Sequence, residues 1–209
     1  MRRIMVVMLA MVTVYFFLTS LCFSETIGIS AQVPQAENLK LTLFKLNTQG
    51  TPDDPSDDWD NYTSYSPGDG GFKIDFGELE LDEDLGIFLT DTYYALDCGV
   101  DGGAPWTIQH RVTSGFTGTG TDTLGDNIIV TFHKLKIVEG KETYEELEKT
   151  IIADSDRDFT NSDLAGGWLR IYYGIATGAD DEPEGAEPIT VHETADTYTG
   201  TIEITLVTS

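Results

Sequence analysis

The sequence is poor in basic residues, with 12 lysines and arginines against 36 aspartates and glutamates and a formal net charge of −24. Removal of the N-terminal segment discussed below, which carries two arginines, would take the net charge to −26. A field of this sign repels nucleic acids and anionic lipid surfaces, so neither is expected as a partner. The acidity indicates a soluble, self-repelling surface. The alternative is Ca²⁺ binding, because clustered carboxylates supply the oxygen ligands that this ion prefers.

Cysteine is also scarce. One of the two cysteines, Cys22, lies in the N-terminal segment, so Cys98 has no partner for an internal disulfide once that segment is removed. Alternation around Cys98 places it on the same strand face as Leu96 and Val100, where a lone cysteine behaves as a small hydrophobe. The alternative interpretation is a reactive or intermolecular thiol.

The sequence lacks the common catalytic motifs. His110, His133 and His192 lie in separate segments, and there is no HExxH pair, no GxSxG elbow and no Walker A loop. His110 shares its alternation face with Trp106 and Ile108, which favours a core or rim histidine over a ligand. We therefore predict that the protein is not an enzyme. Because acidic pairs are abundant, a secreted hydrolase on a β scaffold is kept as an alternative.

One long apolar run is present, and it lies near the N-terminus. Two arginines precede the run Ile4 to Leu18, and small residues follow at Cys22 and Ser24. This pattern predicts a secretory signal peptide over residues 1–24, and the apolar run is shorter than the roughly 20 residues that span a bilayer. We expect residues 25–209 to form one domain that is secreted or held at the cell surface, with no membrane span.

Apolar residues alternate with polar ones through most of the remaining sequence, which predicts β-strands. Turns rich in Gly, Asp and Thr separate the alternating segments. The sequence therefore predicts an all-β fold, an antiparallel β-sandwich of immunoglobulin-like or pilin-like type. The expected strands are 27–33, 39–43, 72–76, 87–100 (one long strand or a bent pair), 106–112, 128–138, 168–176 and 198–207.

One segment has a helical pattern. Thr143 and Glu146 match a capping box, and Tyr144, Leu147 and Ile151 recur at helical spacing. We expect a short helix here, in the crossover between two strands, with its apolar stripe covering one end of the core.

The spacing of Asp154, Asp156 and Asp158 is the most metal-like in the chain, because alternate carboxylates in a loop can point at one cation. The EF-hand pattern fails further on, where Phe159 and Ala165 stand in place of its glycine and its bidentate glutamate. The alternative is an ordinary acidic turn.

Two loops are unusually long, residues 47–71 and 177–197, and loops of this length are functional or disordered. The first contains Trp59 within a second acidic cluster, and Tyr62 and Tyr65 follow. Trp59 either pins this loop to the sandwich or offers a surface that stacks on sugars. The candidate metal ligands in this cluster are Asp53, Asp54, Asp57 and Asp58.

Three segments resemble secreted bacterial surface proteins. The final strand 197–206, the opening strand 27–34, which ends in proline, and the segment 106–108 are similar to those of spore coat protein U and fimbrial subunits and of WxL-like surface domains. The chain lacks the paired cysteines of the fimbrial pattern, and Trp168 and Leu169 are adjacent rather than spaced as in WxL. The resemblance implies a structural or adhesive surface role and assigns no functional residues.

We therefore expect a structural protein of the cell surface, a coat or fimbria-like filament subunit that self-associates or binds another surface protein through edge strands. The alternative is a calcium- or glycan-binding adhesion module. Residues 25–33 are the candidate for a strand donated to a neighbour, because one apolar side chain recurs at every second position. Pairing within the same chain is the simpler expectation, because it needs no partner: this segment would then be the protein's own first strand, paired with the C-terminal strand or with residues 39–46.

Overall fold

A computed structural model describes residues 26–32, 38–47, 59, 62–65, 71–102, 105–120 and 122–208. The expected signal peptide, residues 1–24, lies outside these ranges. The described chain is an all-β sandwich, as the alternation predicts. Its strands are β1 (Thr26–Gln32), β2 (Leu39–Asn47), β3 (Thr63–Tyr65), β4 (Phe72–Glu78), β5 (Glu80–Asp82), β6 (Ile87–Leu89), β7 (Thr92–Val100), β8 (Trp106–Thr117), β9 (Ile128–Val138), β10 (Lys141–Ile151), β11 (Arg157–Thr160), β12 (Trp168–Ile175) and β13 (Thr197–Thr208).

Two large sheets form the layers of the sandwich. The first has five strands in the order β11-β8-β13-β1-β4, and the second has six in the order β10-β9-β12-β7-β2-β3. The strands β5 and β6 form a small separate hairpin. All eight predicted strand segments are confirmed, and the segment 87–100 is the bent pair β6 and β7 rather than one strand.

The expectation of purely antiparallel sheets is wrong at one place. Strand β1 runs parallel to β13, with Ile27 opposite Tyr198 and Ile29 opposite Gly200, and antiparallel to β4 on its other side. The chain crosses from β1 to β2 in the other sheet, so no hairpin fixes the direction of β1 relative to its neighbours. Apolar and polar residues alternate in the same way in parallel and antiparallel strands. The sequence pattern therefore does not distinguish the two kinds of pairing.

The core lies between the two sheets and draws alternate side chains from both. The tyrosine hydroxyl of Tyr94 on β7 donates a hydrogen bond to the carbonyl of Asp75 on β4, 2.7 Å away, and so ties the sheets together. The rings of Phe132 on β9 and Phe159 on β11 lie 5.0 Å apart across the core. These contacts between strands distant in sequence fix how the two layers stack.

The predicted helix over residues 143–151 is wrong, because this segment lies within strand β10. It pairs with β9 along its whole length, with a bulge between Glu146 and Glu148. Glu139 and Gly140 join the two strands with positive φ angles of 52° and 79°, the conformation of a tight hairpin turn. Pairing with β9 outweighs the local capping pattern. The charged side chains and the bulge protect this sheet edge from uncontrolled pairing.

The helical content of the described residues is slight. One turn of 3-10 helix, Ile152–Asp154, follows β10, and Trp59 also has 3-10 geometry. Within the described ranges there is no helix long and apolar enough to cross a membrane.

Candidate functional site

Strand β1 fills a slot between two strands from distant parts of the chain. It hydrogen-bonds β13 on one side and β4 on the other, and β4 is the edge of the five-stranded sheet. Ile27 and Ile29 of β1 are fully buried in the core. Burying two isoleucines contributes about 3 to 6 kcal/mol, so the N-terminal strand is an integral part of the sheet. We call the space between β13 and β4 the β1 slot.

A buried arginine organises the outer face of the six-stranded sheet. Arg170 on β12 donates from Nε and Nη2 to the two carboxylate oxygens of Asp97 on β7, at 2.5 and 2.8 Å, and from Nη1 to Glu142 on β10 at 2.9 Å. Its side chain is only 6% exposed. Burial alone would lower the pKa of Arg170, but the hydrogen bonds and the charge of Asp97 outweigh it and raise the pKa. The guanidinium is therefore a fixed cation.

Three aromatic rings surround this arginine. Phe44, Trp59 and Tyr62 contact one another edge to face, with ring centroids 5.2 to 5.7 Å apart. The Arg170 guanidinium lies 4.3 Å from the centroid of Trp59, within the range of a cation–π interaction. Together with Glu142 they line a depression of about 320 Å³. We call it the aromatic depression.

A second run of rings continues across the same face. Tyr93 lies beside Tyr172, Tyr172 meets His133 edge to face at 5.2 Å, and His133 stacks on Tyr144 with ring centroids 5.6 Å apart. Tyr144 is 75% exposed. Burial lowers the pKa of His133, and its Nε2 atom, 3.7 Å from Glu146, is beyond hydrogen-bond distance of that carboxylate. Aromatic surface thus extends from β2 to β10.

The predicted metal ligands of the segment 154–158 do not converge in the structure. Asp156 accepts a hydrogen bond from the backbone N–H of Val112 at 2.8 Å, whereas Asp158 accepts bonds from Gln109 and Arg111. In the part of the chain that the structure describes, no group of three or more acidic, histidine or cysteine side chains could hold a metal.

The other candidate metal ligands, Asp53, Asp54, Asp57 and Asp58, lie outside the described residues. Calcium binding therefore stays a prediction.

Many loop carboxylates have a structural partner instead. Each of five threonines offers both its backbone N–H and its hydroxyl to one carboxylate, which holds a loop in place. The carboxylate of Asp163, for example, accepts both bonds from Thr160, at 2.8 and 2.6 Å, and these bonds lower its pKa. The other pairs are Glu182 with Thr177, Glu193 with Thr190, Asp122 with Thr194 and Asp196 with Thr119.

The core histidine and the free cysteine have structural environments. His110 is fully buried, and its Nδ1–H donates to the carbonyl of Ser155 at 2.8 Å while Nε2 accepts from the hydroxyl of Tyr173 at 3.2 Å. Cys98 is buried and free, and burial raises the pKa of its thiol well above the ordinary value. Both sequence interpretations, a satisfied core histidine and a cysteine acting as a small hydrophobe, are confirmed.

Sequence reasoning found only part of the aromatic depression. It singled out Trp59 and Tyr62, and the contacts of Trp59 with Phe44 and Arg170 agree with the pinning interpretation. It missed Phe44, Glu142 and Arg170. A signal for Arg170 was present, because one arginine in an otherwise apolar strand needs a partner when it is buried.

Comparison with known proteins identifies no family. Neither the protein-family models nor the curated proteins contain a match to this chain. The fold and the chemistry of its surfaces therefore carry the functional argument.

Proposed function

We propose that this protein is a structural subunit of a cell-surface assembly, and that subunits join when the N-terminal strand of one copy occupies the β1 slot of the next. The observation that carries this proposal is the place of β1, the N-terminal strand, between β13 and β4. The expected signal peptide ends next to this strand, so export would free its end.

Exchange of this strand costs little, because a neighbour's β1 would make the same contacts as the protein's own. Ile27 and Ile29 would bury the same apolar surface and the strand would complete the same two ladders. Only the connection between β1 and β2 would change its path. Exchange of an identical element is a low-cost route to association.

The geometry of such an exchange favours filaments. The slot and the donated strand are different surfaces of the subunit, so the contact is head-to-tail, and such contacts produce open filaments unless they close into a ring. Outside the slot, the charged and bulged strand β10 disfavours pairing at that sheet edge. Assembly through the slot would therefore be directional.

Truncation tests the proposal. A protein that begins at residue 35 should no longer form filaments under negative-stain electron microscopy, because it has no strand to donate. It should bind an added 25–33 peptide, which would also restore its folding if the open slot destabilises it. A peptide carrying Ile27→Asp and Ile29→Asp is the control, because it cannot be buried in the core, and it should not bind. A truncated protein that assembles normally would exclude strand donation.

A further inference from the structure

We infer that the aromatic depression is a binding site for neutral carbohydrate, a ligand independent of the proposed assembly. The site combines a partly exposed aromatic surface with a fixed carboxylate and a fixed guanidinium, all on the outer face of the six-stranded sheet. A pyranose ring has an apolar C–H face that stacks on aromatic rings and a rim of hydroxyls that exchange hydrogen bonds with charged side chains.

The stacking surface comes from three rings that contact one another, one of which belongs to the sheet. Phe44 belongs to β2, and Trp59 is held against it and over Arg170 by ring and cation–π contacts. Tyr62 adjoins both rings and is 49% exposed. A rigid aromatic surface loses little conformational entropy when a ligand binds.

The polar groups are equally fixed. Glu142 is about half exposed at the wall of the depression, and its bond to Arg170 orients its carboxylate. This carboxylate can accept a bond from a sugar hydroxyl. Since Asp97 holds the other side of the guanidinium, the arrangement does not depend on the ligand.

The charges select a neutral ligand over an acidic one. Asp97 and Glu142 neutralise Arg170, so the depression offers no unpaired cation to a carboxylate or sulfate group. The whole chain carries a net charge of −24, which repels anions. Aromatic rings also pack too closely here to enclose a quaternary ammonium group, since their centroids are 5.2 to 5.7 Å apart.

The dimensions suit a chain of sugars. A volume of about 320 Å³ is at the lower end for small-ligand sites, so it would take a short part of a polysaccharide. The face continues from β2 over β7, β12 and β9 to β10, four inter-strand steps or about 19 Å. At its far side the exposed ring of Tyr144 provides a second stacking position.

Affinity electrophoresis tests this inference with defined probes. Native gels would contain xylan, hydroxyethyl cellulose, soluble starch or galactomannan, and parallel gels would contain the acidic polysaccharides alginate and hyaluronate. We expect retardation by at least one neutral polysaccharide and none by the acidic ones. Tyr62→Ala should weaken binding about tenfold, the loss expected for one stacked ring.

Tyr65→Ala is the matched control, because Tyr65 is 46% exposed, belongs to the same segment and does not line the depression. It should bind as the unmodified protein does. Thermal melting of Tyr62→Ala and Tyr65→Ala would show that each is folded. Glu142→Gln should also reduce retardation of the protein in the gel. The inference is overturned if no neutral polysaccharide retards the protein, if the acidic ones retard it equally, or if Tyr62→Ala and Tyr65→Ala behave alike. A changed oligomeric state in Tyr62→Ala without loss of retardation would make the depression a contact between copies.

Discussion

The guanidinium of Arg170 lies 4.3 Å from the ring centroid of Trp59, and so joins strand β12 to a loop residue more than a hundred positions earlier. The same guanidinium donates two hydrogen bonds to the carboxylate of Asp97 on β7. This buried cation thereby fixes both the sheet and the aromatic rings on its outer face. Loss of the Arg170 side chain would therefore disturb both the pairing with Asp97 and the position of the aromatic rings.

Removal of Asp97 should therefore be strongly destabilising. In Asp97→Ala the buried charge of Arg170 loses its main partner, and such changes cost about 3 to 5 kcal/mol in the free energy of unfolding. Asp101→Ala, which removes the exposed pair of Asp101 with Lys40, should cost at most about 1 kcal/mol. Urea unfolding would measure both. Equal losses in the two variants would contradict the role given to Arg170.

His110 should make stability fall in mild acid. Burial lowers its pKa from 6.5 to about 4, so below pH 6.5 the unfolded chain binds a proton that the folded chain does not. The stabilisation is complete above pH 6.5 and is lost as the pH falls towards 4, where the loss reaches about 3 kcal/mol.

Comparison with His110→Gln isolates this effect, because the variant has no group that titrates there. Between pH 7 and pH 4, the unfolding free energy of the unmodified protein should fall by about 3 kcal/mol more than that of the variant. His192→Gln is the control, since His192 is exposed, and it should follow the unmodified protein. Parallel pH profiles for the unmodified protein and His110→Gln would refute the prediction.

A side chain at Gly200 should destabilise the protein. A Cβ atom at this position of β13 would overlap the ring of Phe116, which is buried in the core. We expect Gly200→Ala to lower the free energy of unfolding by about 1 to 3 kcal/mol. A Cβ atom at Gly174 in β12 meets nothing within 4 Å, so Gly174→Ala should be nearly neutral. Equal melting temperatures for Gly200→Ala and Gly174→Ala would contradict the predicted overlap between a Cβ atom at Gly200 and the ring of Phe116.

The calcium prediction concerns the acidic cluster around Trp59. If Asp53, Asp54, Asp57 and Asp58 bind Ca²⁺, the melting temperature should be higher in millimolar Ca²⁺ than in chelator. At a Ca²⁺ concentration of a hundred times the Kd, binding would stabilise the folded protein by about 2.7 kcal/mol. Replacing all four with Asn should abolish the rise. The same change at Asp154, Asp156 and Asp158, whose carboxylates do not converge, should leave it intact. An unchanged melting temperature at constant ionic strength would show that the protein does not bind Ca²⁺.

The strands could be predicted from the sequence because alternation reports which side chains face the core. Segments such as 128–138 and 198–207 carry that pattern without interruption and are strands in the structure. Residues 143–151 were mistaken for a helix because Thr143 and Glu146 satisfy a local capping pattern. The deciding interaction, pairing with β9, is tertiary, and the signal for it was the short turn at Glu139 and Gly140.

The surfaces could be predicted only in part, because sheet topology assembles them. Trp59 and Tyr62 are close in sequence, whereas Phe44, Glu142 and Arg170 belong to three different strands. Their neighbourhood follows from the order β10-β9-β12-β7-β2, which alternation does not encode. The parallel pairing of β1 with β13 was hidden for the same reason, since it depends on a crossover between sheets.

The most direct test of strand exchange is a cross-link between β1 and β13. Ser30 and Thr201 are register partners on adjacent strands, which lie about 4.8 Å apart, within the range that a disulfide spans. A protein with Ser30→Cys and Thr201→Cys, and with Cys98→Ala to remove the native thiol, would be oxidised in its assembled form. Strand exchange predicts a ladder of covalent multimers on a non-reducing gel that collapses to monomer on reduction. A single band of internally cross-linked monomer from the same assemblies would contradict it.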